Sequence, residues 1–340
     1  MPERPEVSVC IVNYNGGGHT EAAVASVWNN APQIPIEVVV VDNASTDDSL
    51  ARVLRRWPNV RVIKNDTNVG FGRANNQAMQ IAEGRYFLLL NNDAALEPSA
   101  LARMLQAAES DPRVAFVGCR VVNGEGNLQP TYEPSPSLRD YLPAGVRRRR
   151  LGRVIETAGS SELRARAARR YGERYGYASS HTVEWLCGVC LLVKRAAALE
   201  IGLFDEHFFI YYEDVDWSLR ATRAGWKLLY VADARLRHAW LPLSAKSQSA
   251  FLIRHRRFSH GLYYRRHCGA ATFYAFAGAL ALRWLVRWPR SWFGRANQEL
   301  AKQELLAFWN GGRAALGKPK IPYLPAVATD SSARAHAVRK

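Results

Sequence analysis

The sequence predicts an α/β fold: a mainly parallel sheet with helices on both faces, followed by a basic helical extension. Three observations carry that expectation. Short β-branched apolar runs alternate with longer helical patterns over the first part of the chain, the arrangement that builds βαβ units. Asparagine and aspartate recur where three of those runs end. The formal charge of +16 lies wholly in the last third: from Arg235 onward there are 19 Lys+Arg against 3 Asp+Glu, and before it 27 of each sign. Two regions so different in composition are expected to do different jobs.

The elements follow in order. "VSVCIVN" (7–13), "IEVVVVD" (36–42), "VRVIK" (60–64) and "RYFLLLN" (85–91) read as strands, because near-continuous apolar runs of that length suit a sheet covered on both faces. Segments near 19–29, 46–56, 71–83 and 98–110 read as helices, with Thr46 and Ser99 placed near two of the starts. Residues 123–182 hold "PTYEPSPS", the run Arg147–Arg150 and an Arg-rich stretch up to Tyr177. They read as a long excursion with a solvated helix near 161–170. "VEWLCGVCLLVKR" (183–195) looks like a strand entering a helix. A helix from about Glu213 to Ala224 and a strand over 226–233 complete this part. The expected division is 1–240, in halves 1–122 and 123–240, then an extension over 241–329 and a disordered tail over 330–340.

With 340 residues, 48% apolar and 22% charged, the chain has room for one large or two modest globular domains. The start, "MPERPEVSVCIVNYN", shows no basic stretch leading into an apolar core and a small-residue cleavage site, so a cytoplasmic setting is expected. Five cysteines do not form a disulfide framework pattern. "CGVC" (187–190) has no second pair to complete a structural zinc site; its thiols read as small buried apolar groups.

In open parallel sheets, ligands collect outside the carboxyl ends of the strands. Those ends carry Asn13, Tyr14 and Asn15; Asp42 and Asn43; and Asn91, Asn92 and Asp93. In "FLLLNNDAALEP", Asp93 is placed to bind a hard divalent cation whose other ligands are water and phosphate; a plain turn is the alternative. Asp42 in "VVVVDNASTDDS" suits a ribose or base N–H, while Ser45, Thr46 and Asp47 suit a helix cap. "NDTNVGFGRANNQAM" sets Gly70 and Gly72 before a helix with Arg73 in its first turn, a combination that favours a diphosphate. Its spacing fits neither a dinucleotide fingerprint nor a P-loop. "FDEHFFIYYEDVDW" (204–217) crowds Glu213, Asp214 and Asp216 against an aromatic run. That is either the capped start of a buried helix or a carboxylate held for chemistry. His238, in "ARLRHAW", is structural when read alone.

In order along roughly residues 7–240, "VSVCIVNYN", "VVVVDNASTDDS", "NVGFGRANNQAM", "FLLLNNDAALEP", "EWLCGVCLLVKR", "FDEHFFIYYEDVDWSLRATRAGW" and "RHAW" resemble the family 2 glycosyltransferases of the GT-A fold type. The nearest likeness is to the rhamnosyltransferase-like subgroup of bacterial polysaccharide and cell-wall synthesis. The resemblance implies a Rossmann-like GT-A sheet and inverting transfer from a nucleotide-diphosphate sugar with a divalent cation, Mg2+ or Mn2+. Rhamnose from dTDP-rhamnose is the subgroup's suggestion; a UDP-sugar donor of galactofuranose or glucose, or an inactive sugar-binding relative, are the alternatives. By position, Asn13, Tyr14, Asn15, Asp42 and Asn43 would face the nucleoside. Asn68, Gly70, Arg73, Asn75, Asn91 and Asn92 would lie toward the diphosphate and sugar. Asp93 matches the last carboxylate of the family's D-x-D, with Asn91 where many members carry the first. His238 matches a histidine that completes the metal site in several relatives, although "HAWLPLS" lacks the glycine that often follows.

Inverting transfer needs one general base within hydrogen-bond reach of the acceptor hydroxyl, and no second carboxylate of the glycosidase kind. The match to the family's E-D pair points to Asp214, then Glu213, then Asp216. On a helix, 213 and 216 share a face while 214 points elsewhere, so the three cannot converge on one site. Trp185, Gly188, Tyr212 and Asp216 are expected on the acceptor side. The acceptor would be a saccharide or a polyprenyl-diphosphate-linked saccharide.

Beyond residue 240 come "FLIRHRRFSHGLYYRRHC", fifteen uncharged residues from Cys268 to Leu282, and "RWLVRWPRSW". The apolar stretch falls short of the ~20 residues a membrane span needs. Trp284, Trp288 and Trp292 repeat every four residues beside Arg283 and Arg287, which suits a helix lying on an anionic membrane surface at the inner face of the cell membrane. The alternative is an amphipathic helix packed on the first domain. Nucleic acid is not an expected partner, because the basic region is separate from the polar strand ends.

Overall fold

Four apolar runs open the chain as parallel strands. β1 (Val7–Asn13), β2 (Ile36–Asp42), β3 (Arg61–Lys64) and β4 (Tyr86–Asn91) lie side by side in the order β3-β2-β1-β4. Their registers run from Val7↔Ile36 to Asn13↔Asp42 and from Val7↔Tyr86 to Val12↔Asn91. Between them run α1 (Gly18–Asn30), α2 (Ser49–Arg56) and α3 (Phe71–Ile81). The chain winds outward to β3 and then crosses back to form β4 on the far side of β1. Strand order therefore reverses between β1 and β4, the position where open α/β sheets bind ligands. β3 sits at the sheet edge, so its residues are half-buried to exposed and not covered on both faces as expected.

The computed structural model describes residues 4–30, 33–133, 136, 152, 154–155, 160–239, 250–287 and 294–318, divided into two units, 1–249 and 250–340. The first continues with β5 (Ala94–Leu96), α4 (Ala100–Glu109), β6 (Val114–Asn123), β7 (Leu128–Gln129), α5 (Ser161–Arg174), β8 (His181–Val183), β9 (Cys190–Lys194), α6 (Arg195–Ile201), α7 (Glu213–Arg223) and β10 (Lys227–His238). The path through the sheet is β3-β2-β1-β4-β9-β6-β10-β5, with β7 on β6 and β8 on β10. Beyond β4 the sheet is mixed. β9 runs antiparallel to both β4 and β6, and β5 runs antiparallel to β10.

Several boundaries differ from expectation for local reasons. β6 was not foreseen, although "VAFVGCRVVN" is buried along most of its length. β10 continues past 233 to His238 by shifting register between Val231 and Arg235, a bulge that re-aims the strand end. Helix α2 starts at Ser49, not Thr46, and Ser99 precedes α4 in a left-handed conformation without capping it. Residues 184–189, expected within a strand, form a loop, which places Cys187 outside the strand and Cys190 at its first position. The run Arg147–Arg150 lies outside the described residues.

The period of two along each strand sends alternate residues to opposite faces, and each face has its own core. Val9, Ile11, Val38 and Val40 pack with Val24 and Val27 of α1, Val53 of α2, and Leu101 and Met104 of α4. Cys10, Val39, Val41 and Leu89 pack with Ala74 and Ala78 of α3, Tyr171 of α5, Ala197 of α6 and Trp217 of α7. Each fully buried Val or Leu contributes about 1.5–3 kcal/mol. These two cores fix the strand ends that carry the polar residues.

The second unit holds α8 (Ala250–Tyr263), a π-helical turn (Tyr264–Cys268), α9 (Gly269–Arg287) and α10 (Gly294–Ala314). Helices α8 and α10 pack backbone to backbone: a Cβ on Gly261 would overlap the Phe308 carbonyl, and one on Gly311 the Phe258 carbonyl. Phe273 stacks on Phe308 at 5.0 Å, and Arg257 pairs with Glu304 at 3.0 Å. Among the described residues no helix is long and apolar enough to cross a membrane. Trp288 and Trp292 of the tryptophan repeat, and the expected disordered tail, lie outside the described residues.

Candidate active site

The floor of the crevice is an amide network at the ends of β1 and β2. Asn13 is fully buried. Its Nδ2 donates to Asp42 Oδ1 at 2.7 Å, Ser45 Oγ at 3.0 Å and Ser49 Oγ at 2.8 Å. Its Oδ1 accepts from Thr20 Oγ1 at 2.7 Å and Asn92 Nδ2 at 3.3 Å. An amide so fully engaged ties β1, β2, α1 and the β4 end together. Asn15 takes φ +52°, and its Oδ1 accepts from the Thr46 N–H at 2.7 Å. The loop after β1 is thereby stapled to the loop after β2. Tyr14, 51% exposed, stands at the mouth, and Asp42 lies just beneath, held also by the Ser45 N–H at 3.3 Å.

The next wall is the start of α3. Asn68 Oδ1 accepts from the Gly70 N–H at 2.9 Å, and Asn43 Nδ2 donates to the Gly70 carbonyl at 3.2 Å. Phe71 N–H donates to the Phe209 carbonyl at 2.8 Å. Asn43 and Asn68, both expected to meet the nucleotide sugar, are thus hydrogen-bonded within the fold. Asn43 and Asn68 act as clamps on this turn. Arg73 is exposed, with Glu206 at 3.5 Å, and is available to an anion. Asn75 is buried; its Nδ2 bonds to the Phe71 carbonyl, and its Oδ1 is without a partner among the described residues.

At the end of β4, Asn91 N–H donates to the Val189 carbonyl at 3.0 Å, and the chain turns through Asn92 and Asp93 into β5. Antiparallel pairing of β5 with the end of β10, His238↔Ala94, brings His238 Nε2 to 3.0 Å from Asp93 Oδ1. His238 Nδ1 faces Gln129 Oε1 at 2.9 Å. Burial pushes the Asp93 carboxyl up, yet the hydrogen bond and charge of His238 hold it below the ordinary carboxylate range. A cleft of about 160 Å3 opens beside the pair, lined also by His19 and Arg237.

These donors fit a divalent cation. Neighbouring ligands of an octahedral ion with ~2.1 Å bonds stand about 3.0 Å apart, which is the spacing of Asp93 and His238. Gln129, through the other ring nitrogen, orients the imidazole as outer partners of metal-binding histidines do. Among the described residues no third His, Cys, Asp or Glu joins the pair, so phosphate oxygens and water would complete the shell.

Helix α7 begins after two consecutive left-handed residues, Tyr211 (φ +67°) and Tyr212 (φ +70°). The three carboxylates then part company. Glu213 is 4% exposed, and its Oε2 has no partner among the described residues. Burial pushes its carboxyl well above the usual range, and the adjacent Asp214 adds to this. Asp214 is half-buried: Oδ2 accepts from the Gly188 N–H at 3.0 Å and Oδ1 from the Val215 N–H at 2.8 Å. Burial raises its carboxyl, while these amides and the Cys187 thiol oppose the rise. Asp216, expected on the acceptor side, is buried and accepts from Arg220 Nε at 2.8 Å. Arg220 in turn donates to the carbonyls of Ile201 and Leu203, so Asp216 locks α7 onto the end of α6.

Structure thus joins Asp214 to the Asp93–His238 pair by a short path: Gly188 holds Asp214, Val189 holds Asn91, and Asp93 follows two residues on. Trp185, in the same loop, is half-buried with its indole N–H unpartnered among the described residues. Tyr212 remains at the helix start, half-buried. Gln129 was not foreseen at the site and Cys187 was read only as a small buried apolar group; they lie in a two-residue strand and a loop. Only the pairing of β7 with β6 and of Cys187 N–H with the Thr131 carbonyl brings them in.

The profile described as "Glycosyl transferase family 2" matches residues 8–172. An N-acetylglucosaminyl-diphospho-decaprenol L-rhamnosyltransferase of Mycobacterium tuberculosis is 30% identical over 289 residues, covering 81% of this chain and 90% of that protein. Two solved structures share the fold at 17% identity and a TM-score of 0.52. They are a mannosyltransferase from Pyrobaculum calidifontis in complex with GDP-Man and Mn2+ (92% of this chain, 88% of that one) and GalNAc-T7 with UDP, GalNAc and Mn2+ (78% and 50%). The protein is a glycosyltransferase that belongs to glycosyl transferase family 2 and carries the GT-A fold.

Proposed function

We propose that this glycosyltransferase works with inversion and a divalent cation, moving rhamnose from dTDP-rhamnose to a hydroxyl of a saccharide or lipid-linked saccharide in bacterial cell-surface synthesis. The single observation that carries the reading is the tether between Asp214, a carboxylate pushed up by burial, and the turn after β4: Gly188 N–H bonds to Asp214 and the Val189 carbonyl to Asn91, two residues before Asp93, which meets His238 at the end of β10. Inverting transfer needs a base and an electrophile-activating site on opposite sides of one reacting carbon, and in this reading those roles fall to Asp214 and to Asp93 with His238. Likeness to the mycobacterial L-rhamnosyltransferase supports rhamnose as the sugar and a diphospho-lipid-linked acceptor. The Mn2+ in both neighbouring structures supports the cation.

In this mechanism Tyr14, Asp42 and Arg73 receive the nucleotide above the floor built by Asn13, Asn15, Asn43 and Asn68. Asp93 and His238 would hold the cation, which when bound supplies positive charge to the departing diphosphate. Trp185, Gly188 and Tyr212 bound the acceptor side. Asp214 takes the proton from the acceptor hydroxyl as it attacks; a raised pKa strengthens it as a base. Burial and the neighbouring Asp214 push the Glu213 carboxyl up, which disfavours a second negative charge in the site.

The second unit supports a place on the inner face of the cell membrane: Tyr274, Leu282 and Leu285 are 56%, 62% and 55% exposed on α9. Turnover of a nucleotide-sugar panel by the full chain tests the reading. dTDP-rhamnose is expected to release dTDP only with Mg2+ or Mn2+, and NMR of the product should show the inverted anomer. Turnover undiminished by a chelator, or a retained anomer, would overturn it.

A further inference from the structure

A second cleft, of about 210 Å3, opens in the half of the sheet that follows β4, walled by the rings of Tyr132, Tyr171, Tyr175 and His181. We propose that it is a saccharide subsite, holding a neutral sugar ring of the acceptor beyond the one that reacts; the idea rests on the glycosyl transfer proposed above. Drug-sized ligands occupy roughly 300–1,000 Å3, so this cleft has room for a single ring.

The walls are fixed before any ligand arrives. Tyr132 stacks on buried Tyr177 at 4.1 Å and 17°, and His181 meets its edge at 5.1 Å. Tyr132 Oη donates to the Tyr175 carbonyl at 2.7 Å. Tyr177 Oη accepts from the N–H groups of Thr131 and Tyr132 and donates to the Tyr132 carbonyl. Rings held in this way lose little freedom on binding. Tyr132 and Tyr171 are buried and back the cleft, and the half-buried rings of Tyr175 and His181 suit the C–H face of a pyranose, while the Thr182 hydroxyl and the Glu133 and Glu184 carboxylates at the rim suit its hydroxyls. No Lys or Arg lines the cleft among the described residues, which disfavours phosphate.

Position ties the cleft to the reaction. The carbonyl of Thr131, next to Tyr132, accepts from the Cys187 N–H at 2.8 Å, and the following residue, Gly188, holds Asp214. Glu184 begins the loop that carries Trp185 and Gly188. An acceptor reaching Asp214 along this loop has the tyrosine cleft beside it.

Saturation-transfer NMR on the full chain, with methyl rhamnopyranoside, methyl N-acetylglucosaminide and choline chloride as probes, tests the assignment. A glycoside signal is expected, and Glu184→Ala should weaken binding about fivefold, the loss of one useful contact. Thr182→Trp, which fills the cleft from its exposed strand without removing a ring, should abolish the cleft's share and keeps the test open if Tyr175→Ala fails to fold. Nucleotide-sugar hydrolysis should be unchanged in Glu184→Ala and Thr182→Trp. Glycoside signals unaltered by Thr182→Trp, or binding of choline alone, would overturn the subsite. Loss of donor hydrolysis in the unaltered chain would instead overturn the transferase reading.

Discussion

Glu213 and Asp214 are adjacent in sequence and opposite in circumstance. Asp214 has two backbone N–H groups and a thiol to support its charge, whereas Glu213 has a buried oxygen without a partner among the described residues. The sequence crowded both against aromatic residues without distinguishing them, because the distinction depends on Gly188 arriving from a distant loop. Burial raises the folded-state pKa of Glu213, so its stabilising contribution is fully present below the unfolded pKa and is lost as pH rises through the raised value. Glu213→Gln mimics the protonated form. Its Tm should match the parent's near pH 4 and exceed it increasingly toward neutral pH, by about 1.4 kcal/mol for each pH unit between the two pKa values. Equal melting at neutral pH would show that Glu213 is not held protonated. Asn13 carries the complementary lesson. Its place at a strand end was legible, but its role as a buried clamp needed the partners from α1, β2 and β4.

Elements explain why those residues stand where they do. The four opening strands and the helices between them were readable from period and run length alone, since each buries one stripe or two faces. β6, β7 and the second half of β10 were not, because their pairing is set by contacts between segments far apart in sequence and by a bulge. The turn into α3 is the most constrained of the loops at the site. Gly70 takes φ +93° and ψ 172°, a region that belongs almost solely to glycine. A Cβ there would stand 2.5 Å from the Phe209 carbonyl oxygen. That contact pins "FDEHFFIYYEDVDW" to α3 and sets the entry to α7. Gly70→Ala is expected to destabilise the fold by about 1–3 kcal/mol, read as a lower denaturant midpoint. An unchanged midpoint would mean that the turn is not the clamp described.

At the scale of the molecule, the chain divides into two units, 1–249 and 250–340. The neutral first 234 residues build nearly all of the sheet, and the described residues after 250 fold as helices. What periodicity could not convey was the glycine-mediated packing of α8 on α10, which leaves an apolar stripe of α9 exposed. Clustered cations near anionic lipid contribute about 1 kcal/mol each and are screened by salt. The full chain should therefore float with anionic liposomes at low salt, less at high salt, and less again as the Leu282→Glu, Leu285→Glu double variant. Equal flotation with neutral liposomes, or no loss in that variant, would remove the membrane from the account. The central claim remains the proposed assignment of Asp214 as the base, tethered to the turn that carries Asp93. Its most direct measurement is sugar transfer by Asp214→Asn at saturating donor and acceptor. The account predicts a fall of about 10²–10⁴-fold with nucleotide-sugar Kd unchanged; transfer at the parental rate would contradict it.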